Sequence, residues 1–80
     1  MPSHVAPKFR TLDVRELIAR GEEPYPQIMA AVEALAPDEG LAVLAPFLPT
    51  PLIELLKSAG FSARPERRND GSWQTFFRRD

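Results

Sequence analysis

The chain contains no cysteine and only one histidine among its 80 residues. The first absence excludes disulfides, thiolate nucleophiles and cysteine metal ligands together. The second leaves His4 isolated between Ser3 and Val5 in a stretch without hydrophobic period, and one imidazole does not assemble a metal site. No apolar run reaches the roughly 20 residues a membrane helix requires, because Pro46, Pro49 and Pro51 interrupt the longest candidates. Residues 1–8 hold no apolar leader segment, so they are expected to form a flexible lead-in, and a cytoplasmic protein without membrane attachment is expected by default. Net charge is −1, which does not match a general nucleic-acid coat.

What the chain does have is 44% hydrophobic and 26% charged residues, enough for one small compact domain over residues 9–80. Charge is unevenly spread. Between Thr11 and Gly40 the acids Asp13, Glu16, Glu22, Glu23, Glu33, Asp38 and Glu39 outnumber Arg15 and Arg20. After Gly60 the arginines 64, 67, 68, 78 and 79 outnumber Glu66, Asp70 and Asp80.

Hydrophobic period predicts the elements. Phe9–Val14 alternates as a short strand with Leu12 and Val14 toward the core, and residues 15–20 form a short turn, open to a helical reading, closed by Gly21. Pro26–Ala36 reads as a helix with Ile28, Ala31, Val32 and Leu35 on one face, opened by a proline whose missing N–H is no loss there. Leu41–Ala45 is a continuous apolar run suited to a central strand buried on both faces. Thr50 is the expected N-cap of a second helix with Pro51 in its first turn, and Leu52, Leu55, Leu56 and Ala59 form its apolar face. The turn residues Asn69, Asp70 and Gly71 then join two strand-length runs into a hairpin, with Trp73, Thr75 and Phe77 on one side and Gln74, Phe76 and Arg78 on the other. Pro65 places the first hairpin strand at an edge or a bulge. The resulting order, βαβαββ, predicts an α+β two-layer sandwich: a four-stranded mixed sheet with two helices on one face.

Several residues within that order carry a resemblance. Leu12-Asp13-Val14-Arg15, the Pro24-Tyr25-Pro26 helix opening, Leu35-Ala36-Pro37-Asp38-Glu39 before the central strand and the closing hairpin resemble the TusA-like (SirA-like) sulfur-carrier superfamily over residues 10–79. Gly21-Glu22-Glu23-Pro24, Ile28 to Val32, and Ala45-Pro46-Phe47 with Pro49 before Pro51-Leu52 resemble its branch called domain of unknown function 2249. The resemblance implies the two-layer fold. It also implies a Cys-Pro-x-Pro motif whose thiolate carries a persulfide sulfur, its ionisation favoured by the helix dipole. Here the cysteine position falls on Glu23 and the prolines on Pro24 and Pro26. A carboxylate cannot hold a persulfide, so the carrier chemistry does not transfer.

The leading functional expectation is a small non-catalytic binding or adaptor module on a sulfur-carrier-like scaffold, with another protein as partner. Its candidate surface is Glu22, Glu23, Pro24, Tyr25 and Pro26 together with Phe47 and Leu48, where Tyr25 brings the amphipathic character common at interfaces. The plainer alternatives are that Tyr25, Phe47 and Leu48 cap the core and that Glu23 compensates the helix dipole. A second class is RNA or nucleic-acid binding through Arg64, Arg67, Arg68, Phe76, Arg78 and Arg79, since arginines around an aromatic suit bases and phosphates; Arg64 and Arg67 fall on opposite faces, however. A third is an accessory subunit in a sulfur-transfer or redox assembly. No nucleophile–base pair, metal cluster or glycine-rich phosphate loop is present, so neither an enzyme nor a cofactor is expected. Nothing in the sequence sets an oligomeric state.

Overall fold

The computed structural model describes residues 8–79; the lead-in over residues 1–7, with His4, lies outside them. Seven elements follow in order: β1 (Lys8–Asp13), α1 (Arg15–Ala19), α2 (Tyr25–Glu33), β2 (Glu39–Ala45), α3 (Thr50–Ser58), β3 (Phe61–Arg67) and β4 (Trp73–Arg79). They build the expected α+β fold around a four-stranded mixed sheet of order β1-β2-β4-β3. The pair β1–β2 is parallel, and β4 runs antiparallel to both β2 and β3. Among the described residues no helix is long and apolar enough to cross a membrane.

Local chemistry accounts for the boundaries, including those that differ from expectation. Lys8, expected in the lead-in, is the first residue of β1 and pairs with Glu39. The turn after β1 closes into a five-residue helix. Its start is satisfied by Asp13, whose Oδ1 accepts from the Arg15 backbone N–H at 3.0 Å, and its exposed side carries the Glu16–Arg20 ion pair at 3.0 Å. The helix stops in a Schellman turn: Glu22 N–H donates to Leu17 O at 3.0 Å and Gly21 N–H to Ile18 O at 2.9 Å, with Gly21 at φ 77°.

Helix α2 begins one residue earlier than the apolar period indicates and ends at Glu33. Pro37 disfavours a helical Ala36, and the chain tightens first, with Leu35 N–H donating to Val32 O at 3.2 Å. Leu35 is nevertheless buried beyond the helix end. In α3, Thr50 is inside the helix rather than its cap. Pro49 holds the cap position without any side-chain bond, and its carbonyl accepts from Ile53 N–H at 2.9 Å.

The core lies between the helices and one face of the sheet: Ile28, Val32, Leu52 and Leu56 pack on Leu41, Val43, Ala45, Phe61 and Phe77. Leu55, expected there, is 46% exposed, and Ala59 is exposed as well. At about 100° per residue the buried arc of α3 runs from Leu52 through Leu56 to half-buried Ile53, leaving residue 55 on the solvent side of that arc, while Ala59 lies past the helix end at its C-cap. Thr75 is fully buried in the same layer, and its hydroxyl finds no hydrogen-bond partner among the described residues.

Among the described residues no helix lies on the opposite sheet face. Register places Phe9, Thr11, Gly40, Ala42, Leu44, Gln74, Phe76, Arg78, Ser62 and Arg64 there. Strand β2 is nearly inaccessible on both sides, as its unbroken apolar run requires. On the uncovered side the Phe9 ring lies over Gly40. A Cβ on Gly40 would stand 2.6 Å from Phe9 Cε1 and 2.5 Å from the Phe77 carbonyl oxygen, so glycine is the one residue that fits.

Candidate functional site

Both parallel strands end at the same edge of the sheet, and each is followed by a loop entering a helix. That geometry leaves a crevice beyond the carboxyl ends of adjacent strands, the usual binding position in sheets of this kind. Here the crevice is an open cleft of about 390 Å³. Val43, Ala45, Val14 and Ile18 form its floor and one wall; Ile28 and Leu52 contribute from the two long helices; Gly21, Glu22, Glu23, Pro24 and Tyr25 form one lip and Phe47, Pro49 and Pro51 the other.

The sequence-nominated segments therefore meet. Glu22, Glu23, Pro24, Tyr25 and Phe47 all line the cleft, whereas Pro26 and Leu48 do not. Phe47 is 51% exposed and Leu48 40%, and Tyr25 is half-buried against the core. The Schellman turn at Gly21 carries the chain out of α1 and into this lip. Sequence reading missed the floor residues and also Pro49 as a counterpart of Pro24.

That counterpart matters. The start of a helix exposes four N–H groups and normally favours an anion. In α2 these belong to positions 24–27 and in α3 to positions 49–52, and each set contains two prolines, Pro24 with Pro26 and Pro49 with Pro51. Of the donors left, Tyr25 N–H is directed to Glu23 Oε1 at 3.4 Å and Thr50 N–H to Leu48 O at 2.9 Å. Two helix starts thus converge on the cleft with most of their anion-binding capacity removed. The lining is almost wholly apolar.

The two lip carboxylates are not equivalent. Glu22 is paired with Arg20 at 2.8 Å, and Arg20 also holds Glu16. Glu23 forms no ion pair among the described residues, so it is the carboxylate open to an incoming cation. Behind the same sheet end, Arg15 ties the termini of β1 and the β3–β4 hairpin together, reaching Asp13 at 2.8 Å and Asp70 at 3.3 Å. The bonds from Arg15 hold the Asp13 carboxyl below its ordinary value. Asp70 is likewise held low, chiefly by the Ser72 hydroxyl at 2.6 Å and then the Ser72 N–H. Among the described residues no three His, Cys, Asp or Glu side chains cluster to hold a metal.

The six residues of the nucleic-acid alternative are divided by the fold. Arg64, Phe76 and Arg78 share the uncovered face, and Arg64 stacks over Phe76 at 5.6 Å. Arg67 and Arg79 fall on the helix-covered side, where Arg79 lies over Phe61 at 5.3 Å and reaches Val32 O at the end of α2 at 3.4 Å. Arg68 lies in the turn and bonds Gln74 Oε1 at 3.3 Å.

A model of the family described as "Uncharacterized conserved protein (DUF2249)" matches residues 11–79. No curated protein and no solved structure matches the chain.

Proposed function

We propose, starting from the fact that the chain belongs to the DUF2249 family, that it works as a non-catalytic binding or adaptor module whose cleft receives an apolar side chain from a basic segment of another protein. The observation that carries this reading is the pair of proline-stripped helix starts around an apolar cleft, with Glu23 as the rim carboxylate that forms no ion pair among the described residues. An anionic ligand would meet few free N–H donors there and a repelling carboxylate. An apolar side chain gains by leaving water, and a lysine or arginine beside it meets Glu23.

The likeness to sulfur carriers supports the same reading. Glu23 occupies the position where those proteins hold their cysteine, so a docking surface built around that position could persist after its chemistry has gone. Participation as an accessory subunit in sulfur transfer would then consist of binding a carrier's partner rather than carrying sulfur.

The test is an NMR titration with a short synthetic peptide bearing one tryptophan between lysines. Saturable shifts confined to Tyr25, Ile28, Ala45, Phe47 and Leu52, weakened roughly three- to tenfold in Glu23→Lys as expected for a partly screened ion pair, support the module. Shifts scattered over the surface, or an unchanged affinity in the variant, contradict it.

A further inference from the structure

We infer that the uncovered face of the sheet binds single-stranded nucleic acid, at a site built from Phe9, Phe76, Arg64, Arg78 and Ser62 and independent of the cleft. These side chains surround a concavity of about 450 Å³ on the side of the sheet that carries no helix among the described residues. The Phe9 and Phe76 rings meet edge to face, with centroids 5.1 Å apart and planes at 77°. Phe9 is held in place by lying over Gly40, where no side chain could be accommodated.

The cations are arranged around that aromatic pair. Arg64 is opposite Phe76 in the β3–β4 register, and Arg78 is opposite Ser62. The two guanidinium groups therefore start from diagonal positions on the same face, on neighbouring strands, flanking one ring. Arg64 lies over Phe76, presenting a guanidinium plane on which a base stacks as it would on an aromatic ring. Glu66 neutralises Arg64 in part, at 3.3 Å, while Arg78 has no carboxylate partner among the described residues. The other acid of this face, Asp13, is held by Arg15.

Charge selects the occupant. An aromatic floor alone would suit any apolar partner, but a floor bordered by two arginines, one of them uncompensated, favours a chain that alternates planar rings with anions. A single strand offers that alternation, whereas a duplex hides its bases in its own stack.

The experiment is a fluorescence-anisotropy titration of the whole protein with labelled oligouridylate across a range of salt concentrations. One full phosphate contact from Arg78 and a partial one from Arg64 predict a slope of log affinity on log salt between about −0.7 and −1.4, from about 0.7 per phosphate on a single strand. Arg78→Ala should remove at least half of that slope and weaken binding roughly threefold to tenfold, as expected for one phosphate contact. Phe76→Leu should weaken binding while leaving the slope unchanged. Arg67→Ala removes the same charge from the opposite face and should leave both unchanged. Absence of binding at low salt overturns the proposal, as does equal affinity for a duplex of the same length, or an Arg67→Ala effect equal to that of Arg78→Ala.

Discussion

At the carboxyl ends of β1 and β2 the molecule presents prolines, Tyr25, Phe47 and Glu23, which forms no ion pair among the described residues; on the sheet face away from the helices β1 and the hairpin present Phe9 and Phe76 between Arg64 and Arg78. Both regions are concave and both contain aromatic rings, yet the charges they present are opposed. The difference arises from backbone chemistry as much as from side chains. At the cleft, prolines delete the N–H groups that would attract anions. On the sheet face the backbone N–H and C=O groups lie in the plane of the sheet rather than pointing out of it, so side-chain charge decides. Aromatic content therefore says little about what a surface binds until the neighbouring donors and charges are counted.

The strongest way to break this contrast is to damage each region from beneath. Leu52, 2% exposed, forms part of the cleft wall as well as the core, and Leu52→Ala should cost about 2–5 kcal/mol in urea or thermal unfolding. On the opposite face Gly40→Ala forces a methyl against Phe9 and a backbone carbonyl that cannot move aside, costing about 1–3 kcal/mol. It should also displace Phe9 and weaken the oligouridylate site without affecting the cleft. A Gly40→Ala protein of unchanged stability would show that Phe9 does not lie where the structure has it.

A smaller change sharpens the comparison by improving the layer between the two regions. Thr75→Val replaces an unpartnered buried hydroxyl by a methyl of similar shape. Stability should rise by about 1 kcal/mol, the scale of leaving one polar group buried without a bond, with both binding regions unaltered. A loss of stability would mean that the hydroxyl has a partner.

The smallest effect is in acid, and at the cleft end it rests on two carboxylates. Asp13, bonded by Arg15, and Asp70, bonded by Ser72, are both held below their ordinary value of 3.8. A carboxylate whose pKa is lower in the folded protein than in the unfolded chain contributes stability fully above the unfolded value and loses it as pH falls through the folded one. Stability should accordingly stay level on this account down to about pH 4 and decline below it, with a shallower decline in Asp70→Asn. An equally steep decline in that variant would remove Asp70 from the clamp at the sheet end.

Much of the architecture was legible because it depends on short-range pattern. Alternation placed Trp73, Thr75 and Phe77 on one face and Phe76 with Arg78 on the other, and the apolar run at Leu41–Ala45 marked the interior strand. The lip residues Glu22 to Tyr25 and Phe47 were also found, because parallel strands deliver their following loops to one edge. What escaped depends on partners distant in sequence or on small angles. Leu55 is turned outward by the angular position of α3, and the need for Gly40 appears only once Phe9 is registered against it. The repeat of Pro-x-Pro at Pro49–Pro51 was visible in the sequence, but its meaning required knowing that both helix starts face one cleft.

The most direct measurement is a charge exchange at Glu23. Dissociation constants are determined for two peptides, a tryptophan flanked by lysines and the same tryptophan flanked by glutamates, against the natural protein and against Glu23→Lys. The account predicts that the natural protein prefers the lysine peptide by at least about threefold, within the range of one exposed ion pair, and that Glu23→Lys reverses the preference. Equal binding of the two peptides by the natural protein, or a preference that survives the exchange, would contradict it.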